Sequence, residues 1–492
     1  MKRIAVIVLL VLFASSAFAQ LRALAKKKHN VNRTLKQVVE YPEFTTAGFA
    51  FLAIDINSGA VVAQYNADKC LKPASTQKLI STATVLELLG PDCRFETTIE
   101  YTGEIDRTNK ILHGDIIIKG GGDPTLGSKY FDTTKDHQFL NDWVTAIKAA
   151  GIDSVAGRII ADDRIYSNEV PPGWSWSDMG NYYGAGPCGL SIFDNYYSLY
   201  FDTNNFGDTV RIAKIKPEIA GLTFDNTITA DSIIYDDSYI YGAPYTYNRY
   251  IRGHLPIHRN SFEVKGSLPD PALTAAIALD SSLKLERVGT ERAPTTVELE
   301  KVNPGKATKV LYTTYSPTLS EIIEQTNVHS VNLFAEHCLI QAGVAMGAAP
   351  ETEIAADSMV SFLEKNGVDT RGMQIFDGSG LSHYNAISPR QMVALLTHMK
   401  KESPYFETFF HSMANAGETG TIRNMFKGTA AERQLRAKSG TINKVKAYAG
   451  YVTSESGREI AFSMVVNNYS CSSSEARDQL EKLMVSLAEL KK

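Results

Sequence analysis

The sequence is poor in cysteine, in net charge and in metal-binding motifs, and each shortage excludes a class of protein. Five cysteines among 492 residues are an odd number and too few for a disulfide scaffold. A formal net charge of −4 means that the chain has no excess of basic residues that would favour nucleic-acid binding. The chain contains no His-Glu-x-x-His motif and no paired Cys-x-x-Cys motif. We therefore expect no metal site, no cofactor and no nucleic-acid partner.

The first nineteen residues have the pattern of a secretory signal peptide. A basic start, Met1-Lys2-Arg3, precedes ten apolar residues and the cleavage sequence Ala17-Phe18-Ala19. Ten apolar residues are too few to span a bilayer. Because Gln20 stands where a lipoprotein would have cysteine, we expect no lipid anchor. The mature protein should begin at Gln20, carry a net charge of −6 and work in the periplasm.

The most informative stretch is Pro73-Ala74-Ser75-Thr76-Gln77-Lys78, which leads directly into an apolar run. Apolar residues at helical spacing predict a helix that ends at Gly90-Pro91. Ser75 and Lys78 are three residues apart, so they share one helical face. A lysine whose pKa is lowered by burial or by a neighbouring cation can take the serine proton. Alone, the motif is common by chance, and a solvated helix terminus is its ordinary interpretation.

Two later motifs change that interpretation. Ser330-Val331-Asn332 and Lys438-Ser439-Gly440-Thr441 follow in the order that is typical of penicillin-binding proteins and class A β-lactamases. Ser75 is then the expected nucleophile, and Lys78 is the expected base, neutral because of burial and the Lys438 charge.

The other residues of these motifs also have expected roles. Ser330 can relay a proton to the leaving nitrogen, and Asn332 can hold a substrate amide. The substrate carboxylate would bind Lys438, Ser439 and Thr441, while Gly440 allows close approach of the strand. Backbone N–H groups of Ser75 and Thr441 would form the oxyanion hole.

The chain resembles the class C low-molecular-mass penicillin-binding proteins, the penicillin-binding protein 4 type of D-alanyl-D-alanine carboxypeptidase/endopeptidase. The likeness covers nearly the whole mature chain and includes four further segments, at residues 122–126, 172–179, 268–272 and 377–382. The resemblance implies an acyl-enzyme on Ser75, peptidoglycan stem peptides as substrates and β-lactams as covalent inhibitors. It also implies that Asp178 contacts the free amine of the peptide side chain.

The resemblance implies an α/β fold in which an antiparallel sheet is flanked by helices, with a large strand-rich insertion. We expect the penicillin-binding catalytic domain at residues 41–95 and 296–492. The inserted accessory region would be 96–295, with 197–260 as a candidate subdomain. Residues 20–40 would form a basic leader or first helix, a candidate for peripheral contact with a membrane.

Two alternatives remain open on the sequence. A serine β-lactamase shares the fold and the acylation step. Class A β-lactamases add a deacylating glutamate with asparagine four residues later, and no glutamate between Asn332 and Lys438 has asparagine at that position. The long insertion also argues against it. The second alternative is an inactive cell-wall-binding homologue.

Overall fold

The computed structural model describes residues 31–301 and 308–491, so the predicted signal peptide and most of the leader lie outside the described residues. Its helices are α1 Val31–Val39, α2 Lys78–Leu89, α3 Gln138–Ala149, α4 Trp176–Met179, α5 Pro271–Leu285, α6 Val297–Glu300, α7 Leu319–Val328, α8 Asn332–Ala345, α9 Thr352–Lys365, α10 Pro389–Lys401, α11 Phe406–Ser412 and α12 Ser473–Ala488.

The strands fall into several separate sheets. They are β1 Gly48–Asp55, β2 Val61–Tyr65, β3 Glu96–Tyr101, β4 Glu104–Asp106, β5 Ile111–His113, β6 Ile116–Lys119, β7 Ser154–Val155, β8 Ile159–Asp162, β9 Tyr196–Thr203, β10 Ile212–Lys216, β11 Thr223–Asn226, β12 Thr229–Asp231, β13 Asp237–Tyr241, β14 Asn248–Pro256, β15 Arg259–Ser267, β16 Gly289–Thr290, β17 Thr295–Thr296, β18 Lys309–Tyr315, β19 Ala414–Asn415, β20 Leu435–Ile442, β21 Val445–Thr453 and β22 Glu459–Asn467.

The first and last parts of the chain share one six-stranded antiparallel sheet, in the order β19-β20-β21-β22-β1-β2. The sequence predicts a hairpin from the strand-like segments at residues 48–55 and 60–65, which flank Gly59, and this hairpin is the β1–β2 edge of the sheet. Side chains on β1 alternate between two cores. Phe49 and Phe51 face a core shared with α1 and α12, whereas Leu52 faces the core around α2. Both faces of the sheet are therefore covered by helices, which confirms the predicted fold class.

Helix α2 lies in the middle of the larger core and packs on α8. Every residue from Lys78 to Leu86 is buried, so its burial is nearly uniform around the axis. Gly90, with φ 75°, ends the helix where the sequence predicts an end. A short 3₁₀ turn, Ala74–Gln77, precedes the helix and carries Ser75. Ser75 therefore lies at the amino end of a rigid, buried element.

The inserted region builds four further sheets around its own hydrophobic core. One of them has the order β17-β8-β6-β3-β18. Strand β18 pairs with β3, so Lys309–Tyr315, which the predicted boundary at 295 assigns to the catalytic domain, is hydrogen-bonded to a strand of the inserted region. Residues of the candidate subdomain, such as Tyr197 and Ile251, share the core of the whole insertion. Helix α5, which opens with Pro271 after the capping residue Asp270, is not predicted from the sequence.

Helices long and apolar enough to cross a membrane are not found in the part of the chain that the structure describes.

Candidate active site

Strand β20 lies directly against the turn that carries Ser75. A Cβ atom placed on Gly440 would be 2.8 Å from the Pro73 carbonyl oxygen and 3.0 Å from the Ser75 nitrogen. Only glycine allows the strand to come this close without displacing the turn. The close approach brings together the first and third sequence motifs.

Lys78 is the residue that connects the motifs. Its Nζ lies 3.0 Å from Ser75 Oγ, 2.6 Å from Asn332 Oδ1 and 2.8 Å from the Ser379 carbonyl oxygen. A neutral amine has two N–H donors, which suffice for Asn332 and Ser379. Its lone pair is then directed at the Ser75 hydroxyl. This is the geometry that a serine nucleophile and its general base require.

Burial lowers the pKa of Lys78 to about 7. The buried carboxyl groups of Glu336 and Asp377 act in the opposite direction and keep it from falling further. The sequence suggested the Lys438 charge as a second cause of the depression. In the structure, the neighbouring lysine lowers the pKa of Lys438 instead. The pKa of Lys438 lies well below its usual value, because of burial first and Lys78 second.

Lys438 and Ser330 form a second contact beside the first. Lys438 Nζ donates to Ser330 Oγ at 2.9 Å and to the Ser439 carbonyl oxygen at 2.8 Å. Ser330 has φ 61°, a left-handed conformation that is costly for a residue with a Cβ. Strain of this kind persists only where the surroundings impose it, which supports a functional position for Ser330.

A cleft of about 940 Å³ runs over these residues. Its lining includes Ser75, Ser330, Asn332, Thr441 and Asp178. The structure thus brings the predicted nucleophile, the predicted proton relay and three of the predicted substrate-binding residues to one cavity, whereas Ser439 and Gly440 are not part of its lining. The two lysines, Lys78 and Lys438, are fully buried beneath it.

The remaining predicted residues have the following contacts. Thr441 Oγ1 accepts a hydrogen bond from Lys446 at 2.9 Å, and the Ser439 hydroxyl donates to Thr421 at 2.7 Å. Asp178 accepts hydrogen bonds from the hydroxyl groups of Ser175 at 2.6 Å and Tyr183 at 3.4 Å, which leaves some of its lone-pair sites unused. Asp178 therefore keeps acceptor capacity that is open to the cleft.

Two buried carboxyl groups support Lys78, and the motif analysis missed both roles. Glu336 accepts hydrogen bonds from the backbone N–H groups of Gly378 (2.7 Å) and Ser379 (2.9 Å). Burial and then the Asp377 charge raise the pKa of Glu336 to about 8. A single acidic residue in the otherwise apolar start of α8 was the available sequence signal.

Asp377 fixes the loop that presents the Ser379 carbonyl oxygen to Lys78. Its carboxylate accepts hydrogen bonds from the backbone N–H groups of Gly380 (2.9 Å) and Ser382 (2.6 Å). It also accepts from Trp174 Nε1 (2.8 Å) and Asn385 Nδ2 (2.7 Å). Trp174 comes from the inserted region, so one side chain ties that region to the active site.

The close approach at Gly440 gives a testable expectation. In Gly440→Ala, the new Cβ must move β20, and Thr441 with it, away from Ser75. We expect the rate constant for acylation of Ser75 to fall about tenfold to a hundredfold. Gly289→Ala is the matched control, because this strand glycine has open space around its Cβ position. Unchanged activity in Gly440→Ala would show that the approach of β20 does not set the site geometry.

The sequence is similar to characterised hydrolases over almost its full length. The model of the D-Ala-D-Ala carboxypeptidase 3 (S13) family matches residues 31–490. The D-alanyl-D-alanine carboxypeptidase DacB of Haemophilus influenzae is 25% identical over 452 residues, which cover 90% of each chain. A D-alanyl-D-alanine carboxypeptidase of Actinomadura sp. is 28% identical over 460 residues, covering 88% of this chain and 80% of the relative.

The fold is also similar to solved structures. The crystal structure of penicillin binding protein 4 from Haemophilus influenzae superposes with a TM-score of 0.78 at 22% identity, covering 93% of this chain and 98% of that chain. A second structure of that protein, in complex with a β-lactam, gives a TM-score of 0.71. This likeness establishes the arrangement of the sheets and helices.

Proposed function

The chain belongs to the D-Ala-D-Ala carboxypeptidase 3 (S13) family, and we propose that it is a serine DD-peptidase of peptidoglycan stem peptides. The observation that carries this proposal is the 3.0 Å contact between Ser75 Oγ and the buried Lys78 amine. The expected activities are D-Ala-D-Ala carboxypeptidase and D-Ala-diaminopimelate endopeptidase. Because stem peptides lie outside the cytoplasm, the proposal includes a periplasmic location.

In the proposed mechanism, Ser75 attacks the carbonyl carbon of the penultimate D-alanine while Lys78 takes its proton. The backbone N–H groups of Ser75 and Thr441 would hold the oxyanion, at a few kcal/mol per donor. Ser330, in contact with Lys438, would pass a proton to the leaving nitrogen. Water then hydrolyses the ester on Ser75 and releases the shortened peptide.

The proposal also includes the substrate contacts. Lys438, Ser439 and Thr441 would bind the terminal carboxylate, and Asn332 would bind a peptide amide. Asp178, on the same cleft, would bind the free amine of the stem-peptide side chain. A β-lactam presents a carboxylate and a reactive acyl carbon at similar positions, so we propose β-lactams as covalent inhibitors. The complex of the Haemophilus influenzae protein with a β-lactam supports this assignment.

The test combines D-Ala release with intact mass. We expect the mature protein to release D-Ala from a free stem pentapeptide and to form a long-lived benzylpenicillin adduct, which peptide mapping places on Ser75. A transient adduct with fast drug loss would instead indicate a β-lactamase. If the protein forms no adduct and releases no D-Ala, it is an inactive wall-binding homologue.

The pKa of Lys78 predicts the pH dependence of acylation. The base is the neutral amine, which predominates above about pH 7. Below that pH each unit removes nine-tenths of the active form, so the acylation rate constant should rise tenfold per unit from pH 5 and level off above about 7. The measurement is the second-order rate constant for benzylpenicillin from pH 5 to 9. A flat profile would exclude Lys78 as the base.

A further inference from the structure

The outer side of one inserted sheet carries an exposed set of aromatic rings. Strands β13 and β14 pair so that Tyr241 faces Tyr250 and Tyr239 faces Arg252. Between these pairs, Ile240 and Ile251 are fully buried. Because strand side chains alternate, the tyrosines point outward. We call Trp176, Tyr239, Tyr241 and Tyr250 the aromatic face.

Trp176 of α4 completes this set of rings. Its ring centroid lies 5.0 Å from that of Tyr241 and 6.1 Å from that of Tyr250. Trp176 is 54% exposed, Tyr239 42% and Tyr250 41%. These rings buttress one another, so they are ordered although they are open to solvent. An ordered aromatic surface binds a ligand with little further loss of conformational entropy.

Polar side chains occupy the outward positions that follow on β14. Arg252 lies over the ring of Tyr250 at 5.5 Å and pairs with Asp225 at 3.0 Å. His254, two residues after Arg252 on the same face of β14, contacts the Thr229 hydroxyl at 2.9 Å. A pyranose ring needs a flat aromatic surface for its C–H face and polar groups for its hydroxyl and acetamido edges. The aromatic face and its polar border supply both.

The aromatic face is continuous with the active-site cleft. Tyr239 and Tyr241 line the cleft together with Ser75 and Asp178. Trp176 and Asp178 lie on the same short helix. A glycan attached to a stem peptide in the cleft could therefore reach the aromatic face along one continuous surface.

Resting on the proposed function, we propose that the aromatic face binds the glycan strand to which the stem peptide is attached. The ligand class is a polymer of alternating N-acetylglucosamine and N-acetylmuramic acid. Binding of this polymer would hold the enzyme on the wall while stem peptides enter the cleft.

The tryptophans provide a direct measurement of binding. Of the three, Trp143 and Trp174 are buried, at 0% and 8% exposure, so a change in emission on ligand binding reports Trp176. We expect peptide-free glycan strands, titrated into the mature protein, to produce a saturable shift of tryptophan emission. Trp176→Phe should remove the shift but leave co-sedimentation with insoluble glycan in place.

Tyr250→Ala is the decisive variant, because Tyr250 does not line the cleft. We expect it to weaken glycan binding about fivefold, through loss of one ring contact. Tyr235→Ala, an exposed tyrosine in the turn before β13, is the matched control and should bind as the wild type does. Equal affinity in all three proteins, or no binding by the wild type, would overturn the proposal.

Activity separates this proposal from the function on which it rests. Tyr250→Ala should keep wild-type kcat/KM for a free pentapeptide and lose about fivefold for the same peptide on glycan strands. If the wild type releases D-Ala from the free peptide but Tyr250→Ala shows no loss on glycan, only the glycan proposal fails. If the wild type releases none, the proposed function fails. A dimer in sedimentation analysis that Tyr250→Ala dissociates would assign the face to a second copy of the chain and overturn glycan binding.

Discussion

Replacing Lys78 with methionine should lower the rate constant of acylation by benzylpenicillin about a thousandfold, as expected for removal of a general base. Methionine has a similar length and fills the same buried space. It has no lone pair to take the Ser75 proton, and it leaves Asn332 Oδ1 and the Ser379 carbonyl oxygen without their donor. The measurement is intact mass as a function of time after addition of the drug.

The control for this variant is Lys69→Met, an exposed lysine nine residues earlier in the chain. It should acylate at the wild-type rate, because it makes the same lysine-to-methionine change outside the site. Ser75→Ala should form no adduct at all. If Lys78→Met retains wild-type acylation while its thermal transition is unchanged, another group takes the proton and the proposed mechanism is wrong.

The three motifs could be placed by sequence because each is short and its residues act locally. The spacing of Ser75 and Lys78 over one helical turn predicted their contact, and the structure has it at 3.0 Å. Gly440 was expected to allow close approach, and a Cβ there would meet Pro73 and Ser75. The hairpin at β1–β2 and the end of α2 at Gly90 were also readable, because turn glycines and periodicity are local signals.

What the sequence could not show depends on long-range packing. The neighbouring amine lowers the pKa of Lys438 and not that of Lys78, in a place where both amines are buried. No sequence pattern within either motif specifies that burial. Glu336 reaches the Gly378–Ser379 backbone across forty residues of chain. Lys309–Tyr315 joins a sheet of the inserted region because it pairs with a strand more than two hundred residues earlier. Such pairings are set by the tertiary fold.

The position of the aromatic residues also depends on long-range packing that the sequence does not show. Six tyrosines fall at residues 235–250 of the sequence. Packing on a neighbouring sheet is the ordinary interpretation of such a cluster, and stacking on sugar rings is the alternative. The structure separates them by strand alternation, since Ile240 and Ile251 take the inward positions between the tyrosines of β13 and β14. Periodicity alone could not show that the outward tyrosines lie beside the cleft. Trp176, whose ring packs on Tyr241, comes from a distant part of the chain.

Asp377 provides the second large expected effect, this time on stability. Asp377→Ala would remove the acceptor of five donors: the backbone N–H groups of Gly380 and Ser382, Trp174 Nε1, Asn385 Nδ2 and the Ser379 hydroxyl. Of these, Asn385 Nδ2 keeps the Ser382 carbonyl oxygen as a second acceptor. Unsatisfied buried donors cost about 1–3 kcal/mol each. Since part of the loop can relax toward water, we expect a loss of about 4 kcal/mol in the free energy of unfolding.

The measurement is the temperature at which benzylpenicillin binding is lost, which we expect to fall by about 5–10 °C. Acylation at low temperature should also slow, because the Ser379 carbonyl oxygen no longer holds Lys78 in place. Asp369→Ala is the matched control, since this exposed aspartate pairs only with solvent-facing Arg371 through its side chain. Equal losses in the two variants would show that the Asp377 network does not support the site. A loss confined to Asp377→Ala would place the stability of the loop, and the position of the base, on one buried carboxylate that also holds the inserted region through Trp174.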